Sequence, residues 1–515
     1  MKTHARFAFL GLLLATFAVG PSAYAAKPSR NYCASFFYGE RDAVAKWGRE
    51  KVAQTKVFME KMFLSEDGKI KGATKAAAID PRGEYDGLWV RDNAINVKEV
   101  MDNPEIADAY VAWVRKNLTT RTLGGLGEPK YNADGTAFDK PWGRPQNDGP
   151  GYVILRWTEY AEKKAKQGMP LAAHYDANLG HPSLKWYLEY VSHHWNDYSF
   201  DLWEEEMGQH LHTLIVMQDG LEKGAALAAK VEGDQSAAVL WYRSQAAAIR
   251  RTILENAWDG DRGYLRSTWR HDGGFVHKDR GFVHKQEPLD IGVILGLLHT
   301  TTNPPVYRFG DEKVMATMAA LEERFAGLYR LNERWSDRRY RGVAAIGRYP
   351  EDVFHGGNPW VIATQGAAEY YFKLGAELLD RDRIEITAIN EKFFRRLMNG
   401  NAEFRPGRTI DRGSKVYDEI IAAIEEKGDG FLSIVRNSTK VDGFHAEQIG
   451  RGYRVGDRGL WVENYVKEAL GGDRNRSDAG GQWIGAELLV WNEASFRSTW
   501  RARGEFVAKR RVRSR

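Results

Sequence analysis

The chain is short of cysteine, of charge bias and of long apolar runs. Its single cysteine, Cys33, excludes an internal disulfide framework and a cysteine-cluster metal site. Lys+Arg 74 against Asp+Glu 69 leaves a net charge of +5 over 515 residues, too little for a nucleic-acid-binding signature. Beyond the N-terminus no apolar run approaches the ~18 residues that span a bilayer, so a polytopic membrane protein is excluded. With 43% hydrophobic and 28% charged residues, the chain is not disordered either. A phosphate loop, a dinucleotide fingerprint and a Ser nucleophile elbow are all missing. So is any Pro/Ser/Thr-rich or low-complexity linker, and one large domain is therefore expected.

What the chain has in excess is aromatic surface and glycine: 12% aromatic residues with 17 Trp, and 52 Gly. Rigid aromatic faces suit stacking on flat ligands, and Gly suits long ordered loops.

The two ends are distinctive. Lys2 and Arg6 precede an apolar stretch at residues 7–19, Pro21 breaks it, and Ala23-Tyr24-Ala25 offers a small-x-small cleavage site. Residues 1–25 are expected to be a signal peptide, so the mature protein is exported, to a periplasm or beyond, and needs no membrane afterwards. Residues 26–500 form the expected domain. Residues 501–515 are rich in Lys and Arg and read as a basic, solvated tail.

Between the ends the periodic segments are helical. Val239, Tyr242, Ala246, Ile249, Ile253 and Ala257 make one apolar stripe that Asp234 is placed to cap. Asn358-Pro359 reads as a cap and first helical residue ahead of Val361, Ala368, Phe372, Gly375 and Leu378. Similar patterns predict helices near 107–117, 151–166, 213–230, 289–299, 313–325, 417–426 and 482–498. Strand patterns are scarce. Gly-Phe-Val-His-Lys occurs at 274–278 and again at 281–285, which predicts a surface hairpin. The chain is expected to be all-α, with about a dozen helices and long loops.

Those loops concentrate Trp, Arg, Asp and Glu: 85–92, 142–150, 201–206, 347–352, 357–360 and 445–448. Sugars explain the mixture. A pyranose has an apolar face that stacks on an indole, and a rim of hydroxyls that pair with Asp, Glu and Arg. Cleaving a glycosidic bond needs two carboxyl groups, one to protonate the leaving oxygen and one to activate water or attack the anomeric carbon. Asp201-x-x-Glu204 is also a capping box, the opposite environment from the raised pKa a catalytic acid needs, unless Glu205 or Asp201 supplies a neighbouring anion. Arg91-Asp92 alone reads as an ion pair, and Arg348 with Glu351 and Asp352 as a charge cluster. The His193-His194 and His210-x-His212 pairs lack metal-site spacing, and Asp259-Gly260-Asp261 lacks the distal Glu of a calcium loop, so it reads as a turn. No metal is expected.

Taken in order, the motifs resemble glucoamylases, the inverting exo-glucosidases of glycoside hydrolase family 15. Leu126-Gly127-Glu128-Pro129-Lys130-Tyr131-Asn132 runs into Trp142-Gly143-Arg144-Pro145-Gln146-Asn147-Asp148-Gly149-Pro150. Asp201-Leu202-Trp203-Glu204-Glu205 follows, then Gly347-Arg348-Tyr349-Pro350-Glu351-Asp352 and Ala446-Glu447-Gln448. The resemblance spans about residues 77–500. It implies an (α/α)6 barrel with a pocket built by loops at one end. It implies Glu204 as general acid and Glu447 as general base, with Tyr85 holding the attacking water. Arg91, Asp92 and Arg348 would bind the terminal glucose, with Trp142, Trp203 and Glu205 in the wall. It implies release of β-glucose, no cofactor, an α-glucan or oligosaccharide substrate, and a monomer. Two neighbouring readings stay open: cleavage of α-1,6 links or trehalose, and a barrel that binds glycan without hydrolysis. Retention of both Glu204 and Glu447 argues against the last.

Departures from the family pattern are visible. Ala446 replaces the usual Ser, Asn492-Glu493 replace Ser-Tyr, and residues 452–481 look inserted. No starch-binding domain is expected after the barrel.

Overall fold

In a computed structural model, residues 30–513 are described, apart from 452–482 and the short stretches 65–69, 81–82, 118–121, 177–182, 272–275, 278–280, 283–284, 286, 334, 336–340 and 441. The expected signal peptide, its cleavage site and the 452–481 insertion lie outside the described residues.

Among the described residues there are fourteen α-helices: α1 Arg30–Leu64, α2 Val90–Lys98, α3 Pro104–Asn117, α4 Asp148–Ala165, α5 Ala172–Tyr175, α6 Leu184–His194, α7 Leu211–Glu232, α8 Ala237–Asn256, α9 Gly292–Leu298, α10 Glu312–Leu328, α11 Val361–Leu378, α12 Glu391–Leu397, α13 Lys415–Asn437 and α14 Val490–Arg513. Twelve of them alternate between two rings. The inner ring runs α2, α4, α7, α9, α11, α14 and closes because α14 packs back on α2. The others, without the short α5 and α12, form the outer ring. This is the expected (α/α)6 barrel, and no described helix is long and apolar enough to cross a membrane.

The two rings read differently in the sequence. The outer helix α8 buries one stripe, Val239, Tyr242, Ala246, Ile249 and Ile253, as its spacing predicts. Inner helices are buried on every side. In α11 each residue from Val361 to Phe372 is buried, as is each residue from Leu211 to Leu221 in α7. An inner helix touches its ring neighbours as well as the outer ring, so it cannot spare a polar face.

Several local expectations give way. Ser236, not Asp234, caps α8, its hydroxyl accepting from the Val239 amide at 3.2 Å. Asn358 does not cap α11. Trp360 holds the cap position, and the Asn358 amide turns inward to the His355 carbonyl at 2.6 Å. The segment before α14 is not helical: Trp483–Ile484 pairs with Gln448–Ile449, and Leu488–Leu489 pairs with Ala77–Ile79. α13 runs eleven residues past the expected end at 426, through Gly428 and Gly430. There Gly428 lies too close to the Phe372 ring, 2.5 Å from an added Cβ, for any larger residue. The basic segment after residue 500 is no frayed tail. It continues α14 and is tied down by Arg501–Glu99, Arg503–Asp429 and Arg513–Asp380 pairs at 2.7, 2.6 and 3.0 Å. The expected hairpin is present, with Gly281 opposite His277 and Phe282 opposite Val276.

Candidate active site

Several residues of the site sit on or beside the N-termini of inner helices. Arg91 and Asp92 occupy the first turn of α2, and Asp148 opens α4. Asp290 precedes α9, and Trp360 caps α11. The unpaired N–H groups and dipoles of these termini favour anions, so a pocket dense in Asp and Glu is held where it costs least.

Glu204 stands on the loop between two short strands, Ser199–Phe200 and Met207–His210. No helix starts here, so the capping-box reading of Asp201-x-x-Glu204 fails. Asp201 instead closes a turn, its Oδ1 accepting from the amides of Glu205 and Glu206 at 2.8 and 3.1 Å. Glu204 itself adopts φ 65°, left-handed and unusual for a residue with a Cβ. Such a conformation costs of order 1–3 kcal/mol and persists only where the surroundings over-determine it. The result is a carboxyl lifted clear of its own backbone. Neutral donors meet it there: Trp89 Nε1 at 2.7 Å and Gln146 Nε2 at 3.1 Å on Oε1, and Trp142 Nε1 at 3.0 Å on Oε2. Arg91 approaches to 3.7 Å, and the side chain keeps 18% of its surface exposed, so a bound molecule can still reach it. Lys130 braces the two indoles, its ammonium 4.1 Å from each ring, and burial lowers its pKa to about 8.

Glu447 directly precedes the strand Gln448–Ile449. Its amide donates to the Ala486 carbonyl at 2.8 Å, and its carbonyl accepts from Val361 at 3.1 Å. The side chain is 1% exposed. Tyr85 donates its hydroxyl to Oε1 at 2.6 Å, and Gln448 Nε2 reaches Oε2 at 3.2 Å. Burial raises its pKa to about 7, opposed by the Tyr85 hydrogen bond and the charge of Arg348. Gly485 lies directly beneath. A Cβ there would stand 2.1 Å from Glu447 Oε2, and its φ of +78° independently favours glycine.

Arg348 anchors the remaining wall. It donates to both oxygens of Asp352, at 2.8 and 2.6 Å, and to Glu205 at 2.8 Å. Its guanidinium lies 5.1–5.4 Å from the ring centres of Trp203, Tyr349, Phe354 and Trp360. Glu205 takes a second bond from the Tyr349 hydroxyl at 2.6 Å. Trp203 is held by Asp290, its Nε1 2.9 and 3.0 Å from the two carboxylate oxygens. Arg91 pairs with Asp148 at 2.9 Å and lies 3.9 Å from Asp92, whose pKa burial raises to about 7 with Glu204 adding to it.

All nine residues singled out in the sequence, Tyr85, Arg91, Asp92, Trp142, Trp203, Glu204, Glu205, Arg348 and Glu447, thus fall in one connected constellation. The sequence reading assigned no role to Trp89, Gln146, Asp148, Tyr349 or Asp352. All five lie inside the same motifs, which is the signal that could have found them. Asp290 and Lys285 lie outside those motifs and carried none. The histidines are spent elsewhere: His210 on Thr268 and the Ser199 carbonyl, His212 on Tyr152, and His194 on Asp197. Asp259 does form the expected turn, accepting from the Arg262 amide at 3.0 Å.

Two carboxyls in one constellation with indoles and charged side chains suit glycosidic hydrolysis, which needs two carboxyl groups. Residues 55–496 match the profile of glycosyl hydrolases family 15. The chain belongs to that family. This family 15 hydrolase is 29% identical over 452 residues to glucoamylase 1 of Rhizopus oryzae, covering 84% of this chain and 71% of that one. It is 28% identical over 457 residues to glucoamylase GLU1 of Saccharomycopsis fibuligera, covering 78% and 84%. Among solved structures, the glucoamylase of Saccharomycopsis fibuligera superposes with a TM-score of 0.73 at 24% identity, covering 90% of this chain and 96% of its own. The family 15 glucoamylase of Hypocrea jecorina gives 0.72 at 24% identity, covering 89% and 72%. These likenesses identify the shared fold.

Proposed function

We propose that this family 15 hydrolase is a glucan 1,4-α-glucosidase that removes β-D-glucose from the non-reducing ends of α-1,4-glucans and maltooligosaccharides. It does so in one step with inversion and without a cofactor. Glu204 protonates the leaving oxygen. Glu447 takes a proton from the water that attacks the anomeric carbon, and Tyr85 holds that carboxylate. Arg91, Asp92 and Arg348 fix the terminal glucose, while Trp142, Trp203 and Glu205 line the wall. A working form after removal of residues 1–25, exported and monomeric, belongs to the same reading.

The observation that carries it is the contrast between the two carboxyls. Glu204 is partly exposed and held by three neutral N–H donors, so a bound glycosidic oxygen can reach it. Glu447 is buried, which raises its pKa to about 7, while the Tyr85 hydroxyl and the field of Arg348 oppose that rise and favour the ionised form a base needs. The names of the relatives support α-1,4-glucan as substrate. Cleavage of α-1,6 links or of trehalose is the second reading, since contacts to the terminal glucose would be shared.

Proton NMR of fresh enzyme with maltoheptaose, read before mutarotation, tests the proposal. Early β-glucose alone is the expected result. Early α-glucose would make Glu447 a nucleophile and overturn the mechanism. No glucose from maltoheptaose, but release from isomaltose, dextran or trehalose, would favour the second reading. Binding without turnover on any of them would leave the non-catalytic barrel.

A further inference from the structure

We infer that Lys285 is a positioning residue for the general acid, acting on Glu204 through Asp201; this rests on the reading of Glu204 as the acid.

Lys285 ends the second Gly-Phe-Val-His-Lys copy, where the chain leaves the hairpin. The hairpin looks like a surface ornament in the sequence, but its last lysine is 9% exposed and enters the barrel mouth. The ammonium lies 2.6 Å from Asp201 Oδ2 and 3.1 Å from Asp290 Oδ2, and 4.6 Å above the Tyr349 ring. Glu206 lies further off, at 4.0 Å.

Each of those partners supports a wall of the pocket. Asp201 ties the turn that carries Glu204. Besides the two bonds to its carboxylate, its carbonyl accepts from the Glu204 amide at 3.0 Å, and its own amide donates to Glu206 at 2.9 Å. This closed turn is what keeps Glu204 at a positive φ. Asp290 holds the Trp203 indole and also accepts from the Gly292 amide at 2.6 Å. Tyr349 donates to Glu205. One buried ammonium therefore stands behind three pocket residues while meeting none of them directly.

The charge arithmetic explains why a lysine is needed. Asp201, Asp290 and Glu206 crowd one dry site, and without a cation their repulsion would splay the turn. Burial pushes the Asp201 pKa up, but Lys285 and the turn amides hold it well below the usual carboxylate range. Asp201 stays ionised and so remains the acceptor that both amides require.

The test separates placement of the acid from general damage. Maltose needs its leaving oxygen protonated, whereas α-D-glucosyl fluoride expels a good leaving group that needs little help. Lys285→Met and Lys285→Arg would be assayed on both substrates beside wild type, with Glu204→Gln as reference. Lys285→Met is expected to lower the ratio of maltose kcat to fluoride kcat by ~10- to 100-fold, the scale on which a misplacement near 1 Å acts. Lys285→Arg, which keeps the charge, should fall between it and wild type. An unchanged ratio in Lys285→Met overturns the proposal, whether both activities are intact or both are lost together. If Lys285→Met does not accumulate as folded protein, the ratio in Lys285→Arg decides, a fall supporting the proposal and an unchanged value overturning it. Glu204→Gln keeps the two questions apart. If it fails to lose maltose turnover selectively, the acid reading fails on its own, whatever Lys285 does.

Discussion

Trp89 donates its indole N–H to Glu204 at 2.7 Å, and the same ring stands 6.2 Å from Tyr85, whose hydroxyl reaches Glu447 at 2.6 Å. The two carboxyls thus hang from neighbouring aromatic residues of one short segment at the start of α2. Movement of that segment would disturb both carboxyls together.

Trp89→Phe keeps the ring and removes the donor. As the proposed acid gives up its proton, this bond becomes one to a developing charge, worth ~1.5–3 kcal/mol in the transition state, so kcat on maltooligosaccharides should fall by about 10- to 150-fold. The melting temperature should barely change. Steady-state kinetics with a thermal melt checks both.

Glu204→Gln should retain oligosaccharide binding and lose ~10²–10⁴ or more in kcat, since it removes the proton donor. If turnover persists near wild type, the acid is Glu205 or Glu206. Calorimetric titration with maltotriose alongside kinetics separates binding from chemistry.

Glu447 gives a pH signature. With a pKa near 7, Glu447 is ionised only above that value, so in the proposed role of base it should make kcat/KM drop on the acid side with an apparent pKa near 7. The Tyr85 hydrogen bond lowers that pKa, so Tyr85→Phe should move the acid limb to higher pH. The same burial affects stability. A carboxyl whose pKa rises on folding from 4.5 to about 7 destabilises the fold above pH 7, by of order 3 kcal/mol, and costs nothing below 4.5. Glu447→Gln should therefore abolish hydrolysis and raise the melting temperature at pH 8, but not at pH 4.5.

Gly485→Ala tests the floor beneath the base. A Cβ at a left-handed position costs ~1–2 kcal/mol. Its collision with Glu447 Oε2 should cost kcat far more than that strain costs stability. Activity and melting measured on one preparation would show the difference.

Asp92→Asn should weaken binding and turnover together, raising KM and lowering kcat on maltose. A change confined to thermal stability would return Arg91 and Asp92 to a purely structural pair.

Much of the fold was legible because outer helices bury one face. The α8 stripe from Val239 to Ile253 could be read residue by residue. Inner helices are buried on every side, so the single face read for α11 from Val361 to Leu378 marked only part of what it buries, and their limits were set by what they met. α13 continues because Gly428 lets the chain pass the Phe372 ring, and 483–489 turns to strand because its partners lie at 77–79 and 448–449. Neither cause is local.

The site divides the same way. Glu204, Glu447 and their arginines stand in compact motifs that sequence alone recognises, because a sugar demands those residue types together. Sequence alone determined the all-α class, excluded an internal disulfide framework and a cysteine-cluster metal site, and through its family resemblance marked nine candidate residues. Tertiary structure decided what those residues experience. It put Glu204 on a strained turn instead of a helix cap, because Asp201 accepts from its own turn rather than from a helix. It drew Lys285 from a hairpin and Asp290 from a loop into one ion cluster, and it gave Glu447 its raised pKa by burying it. Residue type is written in the chain, but the field and solvent around a residue come from segments distant in sequence, and they exist only once the barrel closes.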